Sequence, residues 1–131
     1  AWVYGTFRAS FGSLTVDFKT NLAAAIACSL NIYPINGEYT LYKRVHKKSE
    51  GRYSSCRDSK FTYQDGKESA VWNPDENPDA DCSSGIHAST PFYTDEGDTL
   101  IAVSIKTEDI ICCLSGKVRC RKVRTIREVQ Q

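Results

Sequence analysis

The second half of the chain is a succession of short apolar runs joined by short polar connectors. Residues 99–105 alternate in polarity, residues 110–114 are continuously apolar, and residues 117–129 carry β-branched side chains between cations. Alternation is typical of half-buried strands, and a short continuous apolar run is typical of a buried strand. Because the connectors are short, neighbouring strands are expected to pair in antiparallel fashion.

The first half mixes strand signals with one helical signal. Residues 1–18 place aromatic and β-branched side chains around two glycines, which predicts one or two short strands and a turn. Alanine and leucine dominate residues 22–30, so a helix is expected there, with Thr20 or Asn21 as its N-cap. Residues 38–45 alternate like a strand, residues 46–52 are interpreted as a loop, and residues 60–63 as another short strand.

These elements predict an α+β fold, with a mainly antiparallel sheet of about six or seven strands and one or two helices. The 131 residues are enough to bury a core, and the formal net charge is only +1. We expect one domain over residues 1–131, with an N-terminal strand and helix segment at 1–37 and a core at 38–129. The longest apolar run, residues 22–28, is too short for a membrane helix, so a soluble protein without membrane contact is predicted.

The chain contains six cysteines, and their spacing indicates whether they are reduced thiols or disulfides. Cys112 and Cys113 are adjacent in an apolar strand-like run, where successive side chains face opposite ways. We therefore expect mostly reduced, buried thiols in a reducing compartment rather than a disulfide framework. The cysteines are Cys28, Cys56, Cys82, Cys112, Cys113 and Cys120.

Residues 73–85 form the clearest loop, since they contain two prolines and four acidic residues. Cys82, Gly85 and His87 follow at its end. Zinc binding by Cys82 and His87, completed by other cysteines, is one hypothesis, but the tight Cys-x₂₋₄-Cys pair of structural zinc sites is missing. We interpret the three residues as structural, with Cys82 and His87 bracing the loop onto a strand by packing and hydrogen bonding. No metal or cofactor is expected.

The same loop suggests a nucleophile, either Cys82 or one of the serines at 83 and 84, with His87 as its base. The strand–nucleophile–helix context of a nucleophile elbow is missing. No catalytic residue is therefore assigned.

Residues 82–126 carry an ordered pattern. The run Cys82-Ser83-Ser84-Gly85-Ile86-His87 is followed by Gly97-Asp98, a strand over residues 100–105, Asp109, and Gly116-Lys117-Val118-Arg119-Cys120. The pattern resembles small domains encoded by tailed bacteriophages, which have a Cys-x-x-Gly-Leu/Ile-His core and a terminal Gly-Lys-x-Arg strand. It is also similar to the ends of phage rapid-lysis proteins of the rII type. The resemblance spans residues 38–128 and implies a phage origin and the cytoplasm of the infected bacterium, but no activity.

The order of elements is also similar to that of ADP-ribosyltransferase folds, which clasp NAD between split sheets. That similarity gives Arg44 the role of the early basic residue and Ser89-Thr90 that of the Ser-Thr strand. The late glutamate is missing, because Glu108 lies in a connector. An NAD-using enzyme is the alternative function, and a deep pocket lined by Arg44, His87 and Ser89-Thr90 would favour it. A flat surface there would favour a binding module.

The last feature is the basic segment, six cations within residues 117–127. They are Lys117, Arg119, Arg121, Lys122, Arg124 and Arg127. In an extended chain the first three share one face, and a change of parity at Arg121-Lys122 predicts a bulge. The segment is interpreted as a binding surface. The alternatives are an edge strand protected by charge, or pairing with the acidic loops at 75–81 and 95–98.

Together these observations predict a phage accessory protein that binds a host macromolecule. A host protein is the expected partner, and inhibition of a host enzyme or defence system follows from the resemblance alone. A nucleic-acid-binding module is the other alternative, because a cationic stripe suits phosphates.

Overall fold

The computed structural model describes residues 8–11, 14–17 and 21–130, and side chains from residue 21 onward. In this part of the chain eleven strands accompany one α-helix, α1. They are β1 (Arg8–Phe11), β2 (Leu14–Asp17), α1 (Leu22–Leu30), β3 (Glu38–Ser49), β4 (Arg52–Ser54), β5 (Thr62–Gln64), β6 (Glu68–Ala70), β7 (Ile86–Ala88), β8 (Thr99–Lys106), a 3₁₀ turn (Thr107–Asp109), β9 (Ile110–Leu114), β10 (Lys117–Cys120) and β11 (Lys122–Glu128).

All pairings between these strands are antiparallel, which confirms the predicted α+β class. A six-stranded sheet has the order β5-β4-β3-β8-β11-β6, and a three-stranded sheet has the order β7-β10-β9. β1 and β2 form a separate hairpin. The strands outnumber the predicted six or seven because three-residue strands such as β4 and β6 are too short to show a period.

Helix α1 is confirmed, together with one of its two predicted caps. The side chain of Asn21 accepts a hydrogen bond from the backbone N–H of Ala24 at 3.1 Å. This satisfies one of the free donors of the first turn. Ala25 and Ile26 are buried in the main core, and the helix packs against β9. Thr20 and the residues at 1–7, 12–13 and 18–19 lie outside the described residues.

The prediction of a loop over residues 46–52 is wrong. β3 continues to Ser49 and β4 begins at Arg52, so this segment is a hairpin. Gly51 supplies the turn with a φ of 72°, a conformation in which glycine has no steric cost. The polar side chains that suggested a loop belong to a strand arm that is partly exposed to water.

The predicted last strand, residues 117–129, is two strands in different sheets. β10 pairs with β7 and β9, whereas β11 pairs with β8 and β6. Arg121 lies between them, and its backbone bonds Asp109 and Val71 instead of a regular ladder. The parity change that predicted a bulge at Arg121-Lys122 therefore marks a switch between sheets.

The two larger sheets meet at β3. Tyr42 and Ser89 exchange two backbone hydrogen bonds of 2.8 Å, which fixes the end of β7 against the middle of β3. At the opposite edges, the Ser69 hydroxyl donates to the Thr62 carbonyl at 2.8 Å, so β6 and β5 adjoin and the six-stranded sheet is rolled. Within the described residues, no helix has the length and apolar character needed to span a membrane.

Candidate functional site

A cleft with a volume of about 340 Å³ lies beside the junction of the two larger sheets. Its walls come from β3, β5 and β7, from the connector between β4 and β5, and from the end of the acidic loop, defined here as residues 73–85. Clefts that hold small molecules and cofactors have volumes of roughly 300–1,000 Å³. The cleft is therefore large enough for a small organic ligand.

Basic side chains outnumber acidic ones in the lining of the cleft. Four basic side chains and two carboxylates contribute to it. The basic residues are Lys43, Arg44, Arg57 and Lys117, and the acidic residues are Asp58 and Asp95. Phe61, Tyr63 and Val71 add an apolar surface. Because cations concentrated in a cleft focus the electrostatic field, this site is suited to an organic anion.

Lys43 is the most unusual of these residues because it points inward. Tyr39, Leu41 and Val45 are at most 1% exposed, and Lys43 has the same parity on β3. Its side chain is half-buried and its ammonium donates to the backbone carbonyl of His87 at 3.0 Å.

The pKa of Lys43 is lowered from its ordinary value, chiefly because burial disfavours the charged ammonium. Asp95 and the Cys120 and Cys56 thiols act in the opposite direction, while Arg57 lowers the pKa further. Lys43 is not among the site residues predicted from the sequence. The signal was present, since a lysine occupies the inward parity of an otherwise buried row.

His87 lies on β7 and lines the cleft. Burial, followed by the nearby charges of Lys117 and Lys43, lowers the pKa of its imidazole to about 4. Its Nε2 atom is buried and has no hydrogen-bond partner within the described residues. The Nε2 atom therefore does not make the hydrogen bond expected of His87, whereas the backbone carbonyl of His87 accepts from Lys43 on β3. A structural role for the ring itself stays a prediction.

Cys82 and Lys117 face each other across the end of the acidic loop. The Lys117 ammonium donates to the Cys82 sulfur at 3.0 Å. Burial lowers the pKa of Lys117, but the bond to Cys82 and the neighbouring Tyr93 and Asp81 outweigh it, and the net shift is upward. Within the described residues, no three His, Cys, Asp or Glu side chains are close enough together to hold a metal ion. The structure therefore does not assemble the zinc site considered from the sequence.

A second, smaller pocket adjoins the cleft and is lined by Arg44, His87, Ser89 and Thr90. These are the residues for which a deep pocket would favour an enzyme of the ADP-ribosyltransferase type. The pocket volume is about 20 Å³, which is room for roughly one water molecule. Glu108 lies elsewhere, in a depression formed with Gly37 and Glu38.

The cations of the basic segment do not form a continuous exposed stripe. The predicted exposure is wrong for Arg119. Its side chain is only 2% exposed, and its guanidinium donates to the backbone carbonyls of Asn77 and Ala80. Arg121 forms an ion pair with Glu76, in the same acidic loop. The acidic loop thus folds over β10 and takes up two of the six cations that were expected to contact a partner, Arg119 and Arg121.

The other members of the basic segment have separate environments. Lys122 lies 3.6 Å from the carboxylate of Glu68, and Arg124 and Arg127 are exposed on β11. In the second acidic loop Asp98 accepts from the backbone N–H of Lys47 at 3.0 Å, so it supports β3 instead of the basic segment. The alternative of internal pairing thus holds for the loop at 75–81.

Comparison with family models, curated proteins and solved structures gives no match to the chain. The resemblance to phage domains and the similarity to ADP-ribosyltransferases therefore stay predictions from the sequence.

Proposed function

We propose that this domain binds a small organic anion in the cleft between its two larger sheets. The observation that carries the proposal is the inward-facing Lys43, on the wall of a 340 Å³ cleft that also presents Arg44, Arg57 and Lys117. A lysine on the buried face of a strand loses hydration that a salt bridge or a ligand can replace.

The composition of the cleft supports one class of ligand. Arg44, Arg57 and Lys117 outnumber the two carboxylates even when the Lys43 amine is neutral, so an anion gains from the local field. Phe61, half-buried, stacks edge-on against Tyr63 with ring centroids 5.4 Å apart and supplies apolar surface to the same cleft. Binding sites of this kind combine apolar walls with a few polar groups that fix orientation. A planar ring bearing a phosphate or carboxylate fits both features.

An NAD-using enzyme of the ADP-ribosyltransferase type is the second candidate function. The observation that bears on it is that Arg44, His87, Ser89 and Thr90 line one pocket. Because this pocket has a volume of only about 20 Å³, NAD would have to lie mainly in the adjoining cleft. Asp95 lines the same pocket, so its carboxylate would take the role of the late glutamate that the sequence lacks. NAD is an anionic ring-bearing ligand too, and so is included as a separate arm of the binding experiment.

A role in binding a host macromolecule stays a prediction from the phage resemblance. The burial of Arg119 removes one cation from the surface on which that prediction relied, and the ion pair with Glu76 neutralises Arg121. Arg124 and Arg127 remain exposed on β11 and are the members of the basic segment through which a protein or nucleic acid would be contacted. Charge reversal at these two residues tests that role without disturbing Arg119.

Calorimetric titration tests the cleft proposal, with pyridoxine 5′-phosphate, inorganic phosphate and NAD as probes. Arg57→Gln/Lys117→Gln neutralises two cations of the cleft, whereas Arg124→Gln/Arg127→Gln makes the same charge change on β11. We expect the cleft variant to weaken binding at least tenfold, roughly 1.4 kcal/mol, and the control to bind as the wild type does. Equal affinity of both variants, or no binding of any probe by the wild type, overturns the proposal.

A further inference from the structure

We propose that Lys43 is a reactive amine, which condenses with the carbonyl group of an aldehyde or ketone ligand held in the cleft. This inference rests on the proposed function, because the cleft cations must first hold the anionic part of that ligand. It adds a covalent step and a substrate class, an anionic carbonyl compound.

The position of Lys43 supports this chemistry. The residue lines both the cleft and the adjoining pocket, so Lys43 belongs to the wall that the two cavities share. The hydrogen bond of 3.0 Å to the His87 carbonyl fixes the end of a side chain that would otherwise be flexible. A fixed amine at a cavity wall meets a bound carbonyl in a defined orientation, which lowers the entropic cost of the reaction.

The surroundings of Lys43 favour the neutral amine more than those of a surface lysine do. The groups that act on it are Asp95 in the connector before β8, Cys56 and Arg57 before β5, Cys120 on β10 and His87 on β7. Burial and Arg57 lower the pKa of Lys43, and this outweighs the effect of Asp95 and the thiols. A lysine with a lowered pKa is a stronger nucleophile at neutral pH because more of it is unprotonated.

The reaction balances without a redox partner. The unprotonated amine adds its lone pair to the carbonyl carbon, and the carbonyl oxygen takes up a proton to give a carbinolamine. The nitrogen gives up both of its protons, one to the former carbonyl oxygen in the carbinolamine and one to the departing hydroxyl. The hydroxyl thus leaves as water, and a carbon–nitrogen double bond forms. Arg57 and Lys117, which line the same cleft, can hold the anionic group while this occurs.

Lys47 provides a matched comparison for Lys43. Lys47 lies on the same strand four residues later, but its ammonium pairs with Glu50 at 2.9 Å and Glu128 at 2.8 Å. Hydrogen bonds to these two carboxylates raise the pKa of Lys47. The two lysines therefore share a strand and differ in environment, so Lys47 is the control for nonspecific labelling.

The experiment uses pyridoxal 5′-phosphate, an anionic aromatic aldehyde, followed by reduction with sodium borohydride and peptide mapping by mass spectrometry. At pH 7 and substoichiometric probe, we expect the label on Lys43 at least tenfold faster than on Lys47, since one pKa unit changes the free-amine fraction about tenfold. Lys43→Met should abolish the fast label, and Lys47→Met should leave it unchanged. Because the mapping is done on the wild type, the assignment does not depend on the stability of either variant.

Pyridoxine 5′-phosphate separates this inference from the proposed function, because it has the same ring and phosphate but an alcohol in place of the aldehyde. If it binds in the cleft but the aldehyde labels lysines indiscriminately, the reactive-amine inference is wrong and the binding function stands. If neither compound binds and no lysine is labelled selectively, both are wrong. Fast label confined to Lys43, competed by pyridoxine 5′-phosphate, supports both.

Discussion

Gly85 lies directly against the side chain of Arg119. A Cβ atom built on Gly85 would come within 2.7 Å of the Arg119 Cγ atom, closer than carbon atoms pack. The φ angle of Gly85 is +152°, a conformation that residues with side chains rarely adopt. This contact seats the end of the acidic loop on β10 and so places one wall of the cleft.

Gly85→Ala is therefore expected to destabilise the fold. Steric overlap with Arg119 adds to the backbone strain, and we expect a loss of about 2–4 kcal/mol in the free energy of unfolding. Gly66→Ala is the control, because Gly66 has a φ of +77° but no atom within 4 Å of its built Cβ. The control should lose only about 1 kcal/mol. Urea denaturation of both variants checks the difference, and equal losses would mean that the contact with Arg119 is unimportant.

Arg119 and Arg121 belong to the same basic segment but should differ in their contribution to stability. Arg119→Met leaves the carbonyls of Asn77 and Ala80 without their charged donor, so a loss of about 3 kcal/mol or more is expected. Arg121→Met removes a partly exposed ion pair with Glu76, which water and salt screen, so a smaller loss is expected. Chemical denaturation measures both. A smaller loss for Arg119→Met than for Arg121→Met would contradict the assignment of Arg119 to the interior.

His87 should make the folded state sensitive to acid. Its pKa falls from 6.5 to about 4 on folding, so between these values the unfolded chain binds a proton that the folded chain does not. Stability due to the neutral ring is present above pH 6.5 and is lost as the pH falls towards 4, by about 3 kcal/mol in all. Unfolding free energies at several pH values test this, with His87→Gln as the comparison.

The His87→Gln variant should lose less stability than the wild type over the same interval, because its side chain does not titrate. Other groups contribute equally to both proteins, so the difference between the two curves isolates His87. Parallel curves would show that the imidazole titrates alike in the folded and unfolded chain.

The six thiols should react in separate groups. All six are free, and Cys112, Cys113 and Cys120 are buried. Cys28 and Cys82 are exposed, so the prediction of a buried thiol is wrong for these two residues. Burial raises the pKa of Cys113 and of Cys120 to about 12, so these thiols have little nucleophilic thiolate at neutral pH. A thiol reagent at pH 8 should modify two thiols quickly, Cys56 more slowly, and three only after denaturation.

Titration in denaturant without reductant should count close to six thiols, and a count of two or fewer would show disulfides instead. Cys28→Ser and Cys82→Ser should each remove one fast-reacting thiol. Rapid modification of all six in the folded protein would contradict the burial of β9 and β10.

Local signals predicted much of the fold. The alternation of residues 99–105 and the apolar run at 110–114 correspond to β8 and β9, and Asn21 caps the helix as expected. The burial of Arg119 could not be predicted, because it depends on carbonyl groups 39 and 42 residues away that come together only in the folded loop. Lys43 could have been found, since its parity on β3 matches that of Leu41 and Val45.

The switch of sheets at Arg121 illustrates the same limit. The change of parity was visible in the sequence, but a bulge and a change of partner strand produce the same local pattern. Only the positions of β6, β7 and β9 distinguish the two, and those positions are set by the whole chain.

Nuclear magnetic resonance titration of the wild-type protein with pyridoxine 5′-phosphate tests the central claim, ligand binding in the cationic cleft, most directly. The largest changes in amide chemical shift are predicted at Arg57, His87 and Lys117, which line the cleft. Little change is predicted at Arg124 and Arg127 on β11, which carry charge but lie outside it. Changes concentrated at Arg124 and Arg127, with the cleft residues unaffected, would contradict the account.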